Sequence, residues 1–105
     1  MNKITLLYFD GCPSWQLALG NLEKLVQNEE FPAEISLIKI ETPEQAKNEQ
    51  FLGSPSIRVN GIDLWPEERA NYTLRCRVYK TPAGLKGSPT IEMLRERLQE
   101  AISTM

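Results

Sequence analysis

The sequence contains no histidine. That absence removes the Ser-His-Asp triad, the Cys-His pair, histidine-ligated zinc and a histidine general base together. There are only two cysteines, Cys12 and Cys76, so a four-thiolate zinc or iron–sulfur centre within one chain is excluded as well. There is no basic excess: 12 Lys and Arg stand against 14 Asp and Glu, a net charge of −2, which argues against a nucleic-acid partner. No apolar run approaches the ~18–20 residues of a membrane span. The opening Ile4–Phe9 run is too short for a signal peptide and has no small-residue cleavage site after it, so the expected address is the cytoplasm, away from membranes. Internal repeats, low-complexity tracts and linkers are lacking too. Covalent chemistry in this chain must rest on thiols, carboxylates, lysines or hydroxyls.

What is present fits one domain spanning 1–105, with a hydrophobic share of 41% that suffices for one modest core. Lys3–Phe9 reads as a strand apolar on both faces, as an interior strand covered by helices would be. Asp10-Gly11 ends it. Pro13–Asn28 reads as a helix: Pro13 suits the first helical position, and Trp15, Ala18, Leu19, Leu22, Leu25 and Val26 recur at steps of three and four. Gly20 is a mild weakness in its interior that leaves room for close approach of a neighbour. After a loop around Pro32, Glu34–Glu41 is a second strand, completing a right-handed βαβ unit. Thr42-Pro43-Glu44-Gln45 opens a short helix to about Phe51, with Thr42 as cap and Gln45 reaching back as in a capping box. Ser56–Val59 and Ile62–Trp65 form a hairpin about Asn60-Gly61. Pro66–Gly87 has no regular pattern, and its length of ~20 residues predicts local order or a functional role. Ser88-Pro89 opens a last helix with an apolar stripe of Ile91, Leu94, Leu98, Ala101 and Ile102. The order is β-α-β-α-β-β-α, an α/β three-layer sandwich with a mixed four-stranded sheet and helices on both faces.

Two motifs in this order resemble the thioredoxin-like superfamily. Phe9-Asp10-Gly11-Cys12-Pro13-Ser14-Trp15 is similar to the C-P-x-C of glutaredoxins, with Trp15 where the second cysteine would stand. Gly53-Ser54-Pro55-Ser56-Ile57 resembles the segment bearing that superfamily's cis-proline. The Tyr8–Pro13, Phe51–Gly61 and Cys76–Tyr79 blocks also resemble a group of small bacterial thioredoxin-like proteins, some of them labelled alkylmercury-lyase-like. The resemblance implies that Cys12 and Pro55 face each other, that Pro55 is cis, and that the backbone of Ser54 pairs with a bound thiol substrate.

A reactive cysteine must hold thiolate character. Cys12 stands just before a helix, where free N–H groups and the macrodipole favour an anion. Asp10 opposes this if its carboxylate points at the sulfur. The bland alternative is that Cys12 is a small buried hydrophobe. With Trp15 in the second position a C-x-x-C mechanism is unavailable. Topology brings the stretch after the fourth strand back to the Cys12 edge, which makes Cys76 the candidate resolving thiol in a reversible Cys12–Cys76 disulfide. Its neighbours Arg75 and Arg77 would favour its thiolate. The alternative is a buried structural thiol in a turn. Trp15, Tyr8, Phe9 and Tyr79 read first as core residues, with Trp15 the one that could also wall the site. Glu67-Glu68-Arg69 reads as a solvated turn, and Glu92, Arg95, Glu96, Arg97 and Glu100 as the exposed face of the last helix.

Three functions compete. The first is a thiol–disulfide oxidoreductase with Cys12 as nucleophile, released by Cys76 or an external thiol, and with Pro13, Trp15, Ser54 and Pro55 lining the substrate. Its partner is a protein or low-molecular-weight thiol or disulfide, and no glutathione site is legible. The second is a non-enzymatic binder of soft metal or organomercurial through the two thiolates. The third is a redox-inactive interaction protein. No cofactor is expected, and the chain is a monomer or homodimer.

Overall fold

The computed structural model describes residues 2–28, 31–68 and 71–103. Its elements are β1 (Asn2–Tyr8), α1 (Ser14–Gln27), β2 (Ala33–Lys39), α2 (Pro43–Asn48), β3 (Ser56–Val59), β4 (Ile62–Asp63), β5 (Tyr79–Thr81), β6 (Gly84–Lys86) and α3 (Ile91–Ser103). The chain is α/β, with a mixed four-stranded sheet in the order β2-β1-β3-β4. β1 runs parallel to β2, with Leu6 beside Leu37, and antiparallel to β3, with Leu6 beside Ile57. Its alternation explains its central place. Ile4 and Leu6 enter a core built with Ala18, Leu22 and Leu25 of α1, Ile57 and Val59 of β3, and Leu94 and Leu98 of α3. Leu7 enters a second, smaller core on the opposite face, with Ile40, Ala46 and Phe51. Both faces of β1 are thereby removed from water, and the helices lie on both sides of the sheet.

The order departs from the expected β-α-β-α-β-β-α by one hairpin, β5–β6, which stands between β4 and α3 as a separate two-stranded sheet. The turn is built by Thr81, whose hydroxyl donates to the Gly84 carbonyl at 2.6 Å and accepts from the Ala83 N–H at 3.2 Å. The Asn60-Gly61 turn is as expected: both residues have positive φ, 52° and 89°, the backbone that joins twisted antiparallel strands. The Asn60 side chain also accepts from the Lys3 N–H at 2.9 Å, tying this turn to β1.

The helix starts are refined. Pro13 is the cap of α1 rather than its first residue, and it makes no side-chain capping bond. α2 is shorter than expected, ending at Asn48. Thr42 caps it, accepting from the Gln45 N–H at 3.1 Å. The Gln45 side chain reaches one residue further back than a capping box, accepting from the Glu41 N–H at 2.9 Å and donating to the Lys39 carbonyl at 2.8 Å. α3 starts at Ile91 because Thr90, not Ser88, caps it, accepting from the Met93 N–H at 3.1 Å. Gly20 faces open space, so no neighbour explains it.

Pro66–Gly87 is anchored by Arg77. Its side chain is 4% exposed, and its charge is met by Asp63 of β4 at 3.0 and 3.2 Å. The guanidinium also donates to the Trp65 carbonyl and to Ser56 Oγ, and lies over the Tyr79 ring at 5.1 Å. The Tyr79 hydroxyl donates to the Pro55 carbonyl at 2.6 Å. Removing one member of such a buried pair strands the other. Asp63→Asn is therefore expected to lower stability by about 3–5 kcal/mol in urea denaturation; a change within ~0.5 kcal/mol, as at an ordinary surface position, would contradict the buried pair.

Candidate functional site

The site forms where β1 ends. Cys12 lies in the turn between β1 and α1, its N–H donating to the Phe9 carbonyl at 3.2 Å, and its residue is only 2% exposed. Next to it, Ser54 accepts from the Phe9 N–H through Oγ at 3.1 Å, and the Ser54–Pro55 peptide is cis. Pro55 is buried. The third party is the segment that carries Cys76. Its backbone makes an isolated parallel bridge with Ser54: the Ser54 N–H donates to the Arg75 carbonyl at 2.8 Å, and the Arg77 N–H donates to the Ser54 carbonyl at 3.0 Å. Cys76 is thereby set over Cys12, and a disulfide joins them with a Cα–Cα separation of 5.6 Å, inside the ~7 Å a bond can span.

The two halves of this bond differ in access. Cys12 is buried, whereas Cys76 is exposed. The expected juxtaposition of Cys12 with the stretch after β4 is therefore present, and Cys76 is neither free nor buried in a turn.

Several expectations need correction. The backbone of Ser54, expected to be open to a substrate, has both its donor and its acceptor taken by the chain's own residues 75–77. Arg77 does not serve Cys76 as a cation, because its charge is occupied by Asp63; of the two flanking arginines only Arg75 is exposed. Asp10 is held by Lys39 at 2.7 Å. That hydrogen bond and the attraction of the same carboxylate raise the Lys39 ammonium above its ordinary value. Trp15 stacks on Tyr8, with ring centres 4.1 Å apart, and packs on the main core, which supports its reading as a core residue. Pro13 is exposed beside Cys12. Glu67 and Glu68 are exposed, while Arg69 lies outside the described residues. On α3, Arg95 meets Glu92 at 3.9 Å and Arg97 lies 5.5 Å from the Trp65 ring.

Sequence reasoning missed two features: the Arg77–Asp63–Tyr79 anchor and the β5–β6 hairpin. The hairpin had a signal in Thr81-Pro82-Ala83-Gly84, a turn-forming run between short extended pieces. The anchor had none, since a buried arginine and an exposed one are written alike. Among the described residues no group of three or more Cys, Asp and Glu could hold a metal ion, and no helix is long and apolar enough to cross a membrane. The hollow of about 360 Å³ lined by Trp65, Arg77, Val78, Tyr79, Met93 and Arg97 includes neither cysteine. Comparison with protein-family models, with curated proteins and with solved structures finds no match to this chain.

Two measurements test this geometry. Gly53 has φ +113°, and a Cβ there would lie 2.9 Å from the Arg77 Cβ and 3.1 Å from its backbone. Gly53→Ala is expected to cost about 1–3 kcal/mol or more and to slow closure of the disulfide after reduction; unchanged closure would show that residues 75–77 do not dock there. The second concerns Tyr79. Burial raises its phenol above the ordinary 10.0, outweighing the opposing attraction of Arg77. The folded chain holds this proton while the unfolded chain releases it above 10.0, so the contribution is full below that pH and is lost as pH rises towards the folded value. Wild type should lose denaturant resistance as pH rises above about 10, and Tyr79→Phe should lose less; parallel profiles would contradict burial of the phenol.

Proposed function

We propose that the protein is a thiol–disulfide oxidoreductase of thioredoxin-like architecture, with Cys12 and Cys76 as its dithiol/disulfide couple. The observation that carries this reading is the bond itself: it joins a buried cysteine at the start of a 14-residue helix to an exposed cysteine on a segment outside the main sheet. An exposed disulfide is open to attack by an external thiolate, and exposed bonds are typically the labile, regulatory or catalytic ones. The position of Cys12, with helix N–H groups and the macrodipole ahead of it, favours its thiolate once the bond opens. The cis Ser54–Pro55 bond beside the couple supports the same reading.

In the reaction the two thiols of the reduced protein give up two electrons and two protons, forming the Cys12–Cys76 bond. The substrate disulfide takes them and becomes two thiols. The reverse direction oxidises a dithiol. The partner is a protein or a low-molecular-weight thiol, and the proposed compartment is the cytoplasm, where a disulfide is a working state rather than a permanent staple.

Equilibration in glutathione redox buffers, read by alkylation and intact mass, tests this. The expected reduction potential lies between about −120 and −270 mV, the span of known exchange catalysts. A potential below about −300 mV would mark the bond as structural and overturn the reading. Replacing either cysteine by serine should abolish turnover with a dithiol reductant.

A further inference from the structure

The arrangement of the couple fixes the direction from which a partner reaches it. Thiol–disulfide exchange is a displacement in which the attacking thiolate approaches one sulfur in line with the bond that breaks, so it needs open space on that sulfur's far side. Cys12 offers none. Its residue is 2% exposed, closed in by the turn from Phe9, by the start of α1 and by Cys76 above it. The neighbouring strand edge is closed too, because the N–H and carbonyl of Ser54 are both bonded to residues 75 and 77. A partner backbone has no free pairing group at Ser54 while that segment is docked. Cys76 is exposed, as are Arg75 before it and Val78 two residues on, the latter at 62%.

We infer that Cys76 is the partner-facing sulfur and Cys12 the internal one, the reverse of the order expected from sequence. The inference rests on the oxidoreductase reading and assigns the two roles within it. In the oxidised protein an external thiolate attacks Cys76 Sγ. A new bond forms between the partner sulfur and Cys76, the Cys12–Cys76 bond breaks, and its electron pair leaves on Cys12 Sγ as a thiolate. That leaving group sits ahead of α1, where the helix favours negative charge. A thiolate of lower pKa leaves faster, so this polarity also matches the better leaving group to the buried position. A second thiolate then attacks the partner sulfur of the mixed disulfide and releases Cys76 as a thiolate, and both cysteines end reduced. In the opposite direction the Cys76 thiolate attacks a partner disulfide and expels one partner thiolate. Cys12 then attacks Cys76 Sγ, expels the second and restores the internal bond.

The segment 75–77 thereby acts as the chain's own occupant of the Ser54 edge, holding Cys76 over Cys12 so that the internal step follows the external one without a search. Arg75, exposed beside Cys76, gives the entry side a positive charge and suits a partner with acidic residues near its cysteine.

The test uses the full chain in two states. Oxidised protein is mixed briefly with glutathione, quenched in acid and peptide-mapped. Fully reduced protein is treated with limiting iodoacetamide at neutral pH and mapped in the same way. The glutathione adduct is expected on Cys76 in about tenfold or greater excess over Cys12, and first alkylation on Cys76 by a similar margin. An adduct on Cys12, or earlier alkylation of Cys12, would overturn the assignment. If the bond resists glutathione altogether, the exchange reading is what fails, and the alkylation order still decides which sulfur faces outwards. Gly53→Ala supplies an independent readout: loosening residues 75–77 should raise Cys12 alkylation relative to wild type, and an unchanged Cys12 rate would contradict the covering role of that segment.

Discussion

The arrangement of the site depends on a desolvated guanidinium. Arg77 is buried, and a buried cation is tolerable only when its charge and its donors are all met. Here the charge is met by the Asp63 carboxylate, and the two terminal nitrogens also donate to the Trp65 carbonyl and the Ser56 hydroxyl, with the Tyr79 ring alongside. These partners lie on β3, on β4 and just after it, and at the start of β5. Satisfying one side chain therefore draws the stretch after β4 back across the end of the sheet. Residues 75 and 77 then close on the backbone of Ser54, and Cys76 between them has no other place than above Cys12.

This explains how two cysteines separated by 64 positions become a couple without the second cysteine that a C-x-x-C motif would supply. Closing a loop of this length in an unfolded chain is entropically unfavourable by about 4 kcal/mol. The fold meets that cost through the buried pair and the Ser54 bridge. The bond in turn stabilises the docked segment, so redox state and the stability of residues 71–78 are linked: opening the bond leaves the segment held by Arg77 and Tyr79 and by two backbone hydrogen bonds. The asymmetry of access follows from the same docking, because the segment that delivers Cys76 also covers Cys12.

The regular elements were legible because their periods are unambiguous. Ile4, Leu6 and Leu7 could only suit a strand buried on both sides, Leu22 and Leu25 a helix facing a core, and Asn60-Gly61 a tight hairpin. The return of the chain to the Cys12 edge followed from strand direction. What was not legible came from long-range burial. Nothing local distinguishes Arg77, inside, from Arg75, outside; the difference is made by Asp63, fourteen positions away in a strand of two residues. For the same reason the Ser54 edge looked open. Its backbone groups carry no sequence mark, and whether they meet a substrate or the chain itself is decided by Arg77. α3 is capped two residues beyond the Ser88 that the sequence suggests, because Ser88 and Thr90 are both good caps and it is the Thr90 hydroxyl that accepts from the Met93 N–H.

The central claim is that the fold, and not the covalent bond, holds Cys12 and Cys76 together. The most direct test is the equilibrium constant for closing the Cys12–Cys76 bond with glutathione, compared between native buffer and concentrated urea. If the docked segment presents Cys76 to Cys12, the native constant should exceed the unfolded one by about 10³, the equivalent of the ~4 kcal/mol of closure entropy already met by folding. Equal constants in the two solvents would contradict the account, because they would mean that the folded chain brings the two sulfurs no closer than a random coil does.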